Sequence, residues 1–109
     1  MKIVKIDAAK ITSEGTLHDV FYEAFGFPGY YGRNMNAWID CMSSLDSEMN
    51  TVQVKEGEFV TLEIEHMREL KEKHPDLYAE IVECSAIVNW RRTENGEAAI
   101  LALSFHTLK

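Results

Sequence analysis

The stretch that decides the fold is a loop leading straight into a helix, Gly26-Phe27-Pro28-Gly29-Tyr30-Tyr31-Gly32-Arg33-Asn34 followed by Met35-Asn36-Ala37-Trp38-Ile39-Asp40-Cys41-Met42. Glycine and proline constrain the loop, which carries two adjacent tyrosines. Asn34 is suited to cap the helix, since its side chain can accept a hydrogen bond from an amide of the first turn. Asn36 and Asp40 are one turn apart, so they point the same way. The stretch therefore predicts a rigid, aromatic and acidic surface.

Before this loop the sequence predicts a strand and a helix. Residues 2–7 alternate polar and apolar side chains, as a short strand does. Thr16 is expected to cap the helix, with Asp19 three residues later in a capping-box-like arrangement, and Gly26 to end it. Helical spacing predicts that five apolar residues lie on the buried side of this helix: Leu17, Val20, Phe21, Ala24 and Phe25. The same spacing places on the exposed side His18, Asp19, Tyr22 and Glu23.

After the loop, the second helix is expected to bury a stripe of residues that step by three or four, namely Met35, Trp38, Met42, Leu45 and Met49. Residues 59–64 predict a strand, residues 67–73 a helical turn or two, and Pro75 the first position of a further helix. That helix would turn inward Leu77, Tyr78, Ile81, Cys84 and Val88. Asn95-Gly96 should end it. The apolar run 98–105 is typical of a central, buried strand.

This order of elements predicts an α/β fold in a single domain over residues 1–109. Helical connections between strands favour parallel pairing, with helices packed on the sheet. We expect a three-stranded parallel sheet with three to four helices. Residues 51–54 leave open one short extra strand.

The charge of the chain bears on its partners. Eighteen acidic residues against eleven basic ones give a net charge of -7, which disfavours direct binding of nucleic acid and fits a basic protein partner. Solubility alone is the simpler explanation of the same charge. The chain shows neither an apolar signal sequence nor a membrane-spanning run, and its two cysteines lie far apart. We therefore expect a cytoplasmic protein that is monomeric when free.

The sequence gives little support for catalysis. Histidines at positions 18, 66, 74 and 106 have no metal-ligand spacing, and neither Cys41 nor Cys84 has an evident base nearby in sequence. No phosphate-binding or calcium-binding motif is present in the sequence. We expect no enzymatic activity, cofactor or metal. The alternative, an enzyme that acts through one of the two cysteines, is the weakest of the readings.

The tyrosine loop is the exception. Tyr30 and Tyr31 offer large contact areas and hydroxyl groups with few rotatable bonds, which suits a binding site. The structural alternative is that one ring belongs to the core and the other covers the start of the helix.

The loop and helix resemble the signature of the barstar family, intracellular inhibitors of secreted guanyl-specific ribonucleases such as barnase. The residues that carry the resemblance are Tyr30-Tyr31-Gly32, Asn34, Ala37 and Asp40-Cys41. The resemblance implies that this loop and the second helix cover the active site of a ribonuclease. It implies that Asp40 takes the place of a substrate phosphate among basic and histidine side chains, and that Tyr30 packs near the catalytic base. It also implies close backbone approach at Gly32 and a contact at Asn34.

Several positions depart from the family pattern. The family inhibitor has a second aspartate where this chain has Asn36, and an interface tryptophan where it has Ile39. Arg33 replaces a glutamate and could repel a basic enzyme. Counting back from the last strand places Arg91 at a further contacting glutamate, with Glu94 the nearest carboxylate that could substitute. The segment 43–58 is longer than in the family inhibitor.

Two functions follow from these matches and departures. The first is a protein inhibitor that covers the active site of a basic, barnase-like ribonuclease. Its predicted partner-binding residues are Tyr30, Tyr31, Gly32, Asn34, Asn36, Ile39 and Asp40. The second is a binding module on the same fold whose partner is not a ribonuclease, as the changed charges would allow.

Overall fold

The computed structural model describes residues 2–106, and of His106 the backbone only. The elements in chain order are strand β1 (Lys2–Asp7), a 3-10 turn (Ala8–Lys10), helix α1 (Glu14–Phe25), helix α2 (Met35–Met42), strand β2 (Val60–Glu65), helix α3 (Met67–Lys73), helix α4 (Pro75–Glu94) and strand β3 (Leu101–His106). Among the described residues this is an α/β fold with a three-stranded sheet and four α-helices, as predicted.

The sheet is parallel throughout, in the order β1-β2-β3. Val4 is opposite Leu62, which in turn is opposite Leu103. The alternating side chains of β2 at Val60, Leu62 and Ile64 are fully buried. The core therefore lies on one face of the sheet, beneath the helices.

The apolar run near the C-terminus forms an edge strand, which corrects the prediction of a central one. Ile100 and Leu101 are buried, but the following positions are only partly buried and Phe105 is exposed. The central place belongs to β2. Composition does not separate the two, because both segments are rich in apolar residues although, of the described side chains of β3, only Leu101 is buried.

Helix α1 begins one turn earlier than predicted. Ser13 is its N-cap, with its side-chain oxygen accepting a hydrogen bond from the Thr16 amide. The Thr16 hydroxyl in turn accepts from the Ser13 amide and completes a capping box without Asp19. Gly26 ends the helix, as predicted, in the left-handed conformation at φ 64°.

The segment between α2 and β2 packs back onto the helices and forms no extra strand. The amides of Thr51 and Val52 donate to the carbonyls of Gly26 and Phe25, both at 3.0 Å. These carbonyls lie at the C-terminal end of α1, where helical partners are missing, so the segment satisfies them. The predicted buried stripe also stops early, because α2 ends at Met42 and Met49 is exposed.

Helix α4 agrees closely with its prediction. Pro75 opens it, Leu77, Ile81 and Val88 are buried, and it ends at Glu94 before Gly96. It packs against α2 and α3 and contacts β3. Because α4 contacts α2, its exposed C-terminal half lies beside the helix that follows the tyrosine loop.

Candidate protein-binding site

The two adjacent tyrosines have different environments. Tyr30 is 77% exposed, whereas Tyr31 is 7% exposed. The Tyr31 hydroxyl is 2.5 Å from Nδ1 of His18, and its ring lies 4.7 Å from that of Phe27. The structural alternative, with one ring in the core, therefore holds for Tyr31. The exposed position predicted for His18 is corrected, since His18 is 2% exposed, whereas the predicted contact of Tyr31 with a partner stays a prediction.

Arg33 fixes the other end of the loop to α1. Its backbone is in the left-handed region at φ 56°, which is uncommon for a residue with a side chain. Its guanidinium donates to the Asp19 carboxylate at 2.7 Å and to the Gly15 carbonyl at 3.1 Å. The expected repulsion of a basic partner by Arg33 is therefore reduced, since its charge is matched by Asp19.

Asn34 caps α2 as the sequence predicts. Its side-chain oxygen accepts a hydrogen bond from the Ala37 amide at 2.8 Å, and its amide nitrogen donates to the Gly32 carbonyl at 3.4 Å. A Cβ at Gly32 would lie 3.3 Å from Nδ2 of Asn34 and 3.6 Å from Cβ of Ala37. The loop thus enters the helix with little room for a side chain at Gly32.

Helix α2 presents Asn36 and Asp40 on its exposed face, as predicted from their spacing. The Asp40 side chain is 62% exposed. Trp38 is fully buried, as expected, and Ile39 is also buried. The Ile39 side chain packs in the core, and its predicted contact with a partner stays a prediction.

Arg91 of α4 reaches the carboxylate of Asp40. Its Nη1 lies 3.3 Å from Oδ1 of Asp40, and both side chains remain about half exposed. Sequence counting placed Arg91 at a contacting position of the family, but it did not predict this ion pair within the chain. The carboxylate at the centre of the candidate site already has one cationic neighbour.

The next residue, Arg92, connects α4 to the end of α2. It is 4% exposed, and its guanidinium donates to both carboxylate oxygens of Asp46, at 3.2 and 2.9 Å. Further bonds reach the carbonyls of Ser43 and Ala98 at 2.8 and 2.7 Å. The sequence analysis does not predict these hydrogen bonds of Arg92. The available signal was an arginine four residues after Val88 on the buried stripe, a position that requires a buried partner.

The titratable groups near the site favour neutral forms. Burial lowers the pKa of His18, against the opposing effect of the Glu14 carboxylate. Burial and the neighbouring Asp40 raise the pKa of the Cys41 thiol to about 11. Burial also raises the pKa of Cys84. Both thiols are thus protonated at neutral pH, which disfavours the alternative of a cysteine nucleophile.

Glu80 of α4 lies near Glu14 of α1. Burial and the neighbouring Glu14 carboxylate raise the pKa of Glu80 to about 7. Glu14 also lies 3.3 Å from Nε2 of His18, whose Nδ1 contacts the hydroxyl of Tyr31.

Fold and geometry define a small α/β domain in which a hydrogen-bonded loop presents the exposed Tyr30 and the helix that follows it presents the exposed carboxylate of Asp40. A protein-family model described as "Barstar (barnase inhibitor)" matches residues 1–103, and the chain belongs to the barstar family. This is a family of inhibitors and not of enzymes, and its members bind barnase-like ribonucleases. No curated protein matches the chain. Within the described residues, no helix is long and apolar enough to span a membrane.

Proposed function

We propose that this protein inhibits a basic ribonuclease of the barnase type by covering its active site. The contacting surface would consist of the exposed part of the predicted set, Tyr30, Gly32, Asn34, Asn36 and Asp40. The observation that carries the proposal is the exposed carboxylate of Asp40 on α2, held beside the loop of Tyr30 in a chain of the barnase-inhibitor family.

Asp40 would occupy the position of a substrate phosphate. A carboxylate offers two oxygens to arginine and lysine side chains, as a phosphate does, and charge-assisted hydrogen bonds of this kind are the strong ones. It contains no phosphodiester bond, so the enzyme has nothing there to cleave. The net charge of -7 would speed the approach to a basic enzyme.

The rigidity of the site supports tight binding. Tyr31, Arg33 and Asn34 each hold the loop through a hydrogen bond of 2.5 to 2.8 Å. Little conformational freedom would then be lost when a partner docks, which preserves affinity. In this proposal Tyr31 and Ile39 act from below, by supporting Tyr30 and Asp40.

We also propose that the protein acts in the cytoplasm, is a monomer when free, and protects the cell that produces it. A ribonuclease that folded inside the cell would cleave the cell's own RNA. An inhibitor that binds it there would prevent this damage.

The proposal is tested by titrating purified barnase, as the probe, with the protein and measuring residual cleavage of a fluorogenic RNA substrate. We expect activity to fall to zero at an equimolar ratio. Asp40→Ala should weaken inhibition at least a hundredfold, and Tyr30→Ala should weaken it too. Glu23→Ala is the matched control, because Glu23 is an exposed acidic residue of α1 outside the proposed surface. Full activity of barnase at a large excess of the wild-type protein would contradict the proposal.

The second candidate, a binding module whose partner is not a ribonuclease, is favoured by one observation. The ion pair of Arg91 with Asp40 and the uncharged Asn36 reduce the negative charge of this surface. Purification of the protein from its native lysate, followed by a ribonuclease assay before and after a high-salt wash, separates the two candidates. A nuclease released by salt supports inhibition, and a companion without nuclease activity supports the module.

A further inference from the structure

The exposed side of the C-terminal half of α4 lies next to the candidate site. Arg91 touches Asp40, Ile87 lies one turn before Arg91 on the same side of the helix, and Trp90 is its neighbour. Trp90 is 62% exposed and Ile87 is 41% exposed. Tryptophan and arginine are both enriched at protein interfaces relative to the rest of the surface.

Arg91 contributes little to holding the fold together. The one hydrogen bond of its side chain among the described residues is with Asp40, and exposed ion pairs of this kind add about 0–1 kcal/mol to stability. The attachment of α4 to α2 is made instead by the four bonds of the buried Arg92. The charge of Arg91 is therefore available to a partner.

We propose that Arg91 is a specificity-determining residue and that the docking surface extends across it to Trp90. The inference rests on the proposed function. A pocket that binds Asp40 through cationic groups would bring those groups near the guanidinium of Arg91, which lies 3.3 Å from the same carboxylate. Like charges at this separation repel unless an opposite charge is supplied. The fitting partner presents an acidic side chain beside its cationic pocket, and Arg91 selects against a partner whose pocket rim is entirely basic.

This inference is tested by measuring the dissociation constant of barnase complexes by titration calorimetry with the wild type, Arg91→Gln and Arg91→Glu. Barnase serves here as a partner with a basic pocket, which Arg91 repels. We therefore expect Arg91→Gln to tighten binding about tenfold, within the range of coupling between charged groups in contact, and Arg91→Glu to tighten it further. In an Asp40→Asn background the gain from Arg91→Gln should shrink, because the cationic groups are then no longer drawn to position 40. Trp90→Ala should weaken binding.

Matched controls are available on other parts of the surface. Arg68→Gln removes an exposed arginine of α3 that is likewise paired with a carboxylate, at 3.9 Å, and Ile3→Ala removes an exposed apolar side chain of β1. Neither should change the dissociation constant. Equal or weaker binding by Arg91→Gln, with the wild type still inhibiting barnase, would overturn the inference and leave the proposed function intact. No binding by the wild type or any variant would overturn the proposed function, and this inference with it.

Discussion

Replacing Arg92 by methionine should destabilise the protein strongly. The guanidinium is almost fully buried and donates two hydrogen bonds to Asp46 and one each to the carbonyls of Ser43 and Ala98. Methionine retains much of the volume and none of the donors. Asp46, whose side chain is only 19% exposed, would lose its cationic partner.

The size of the loss follows from the burial of the pair. Removing one member of a buried ion pair costs about 3–5 kcal/mol, because the remaining charge is left uncompensated. With a urea slope of about 2 kcal/mol/M for a domain of this size, the midpoint of unfolding should fall by about 2 M. The assay is urea unfolding at pH 7, followed by tryptophan fluorescence.

Two further variants make this test specific. Arg91→Met, at the adjacent and exposed position, should lower the free energy of unfolding by less than about 1 kcal/mol. The double variant Arg92→Met with Asp46→Leu should recover a large part of the loss, since apolar groups can replace a buried pair almost without cost. A loss at Arg92 no larger than that at Arg91 would refute the reasoning.

Three other predictions concern stability. Because the pKa of Glu80 is raised to about 7, the folded state prefers its protonated form, and stability should fall as pH rises from about 4.5 through about 7. Glu80→Gln should therefore stabilise the protein at pH 8 and have little effect at pH 4, as measured by thermal unfolding at both values. Because burial lowers the pKa of His18, the free energy of unfolding should fall as the pH drops below 6.5, the ordinary pKa of histidine. In His18→Gln the free energy of unfolding should depend less on pH in this range, as measured by urea titrations at several pH values. Gly26→Ala should lower the free energy of unfolding by more than about 1 kcal/mol, because φ at position 26 is 64° and the added Cβ would lie 2.4 Å from the side chain of Thr51. Gly29→Ala is the control. A Cβ at position 29 has nothing within 4 Å, so this variant should be close to neutral in the same urea assay.

Periodicity and local signals predicted much of the fold. The cap at Asn34, the stop at Gly26 and the start of α4 at Pro75 depend on neighbouring residues, and each agrees with the structure. The parallel sheet follows from the order of strands and helices along the chain. The outward direction of Asp40 follows from helical spacing alone.

The wrong predictions concern residues whose environment depends on contacts with residues distant in the sequence. His18 has a polar side chain on the predicted exposed face, but the hydroxyl of Tyr31, thirteen residues later, satisfies it inside the protein. Residues 51–54 have the composition of a strand, yet the amides of Thr51 and Val52 donate to carbonyls at the end of α1 and the amide of Val54 donates to the carbonyl of Leu45. The pairing of Arg91 with Asp40 spans 51 residues and depends on how α4 packs against α2, which no local pattern encodes.

The most direct measurement of the central claim is a competition experiment between the protein and a small active-site ligand of barnase, guanosine 3′-monophosphate. If Asp40 and the tyrosine loop occupy the phosphate position of the enzyme, the apparent dissociation constant of the barnase complex should rise in proportion to nucleotide concentration, with no ternary complex. A dissociation constant that stays the same at saturating nucleotide would show that this surface does not close the active site.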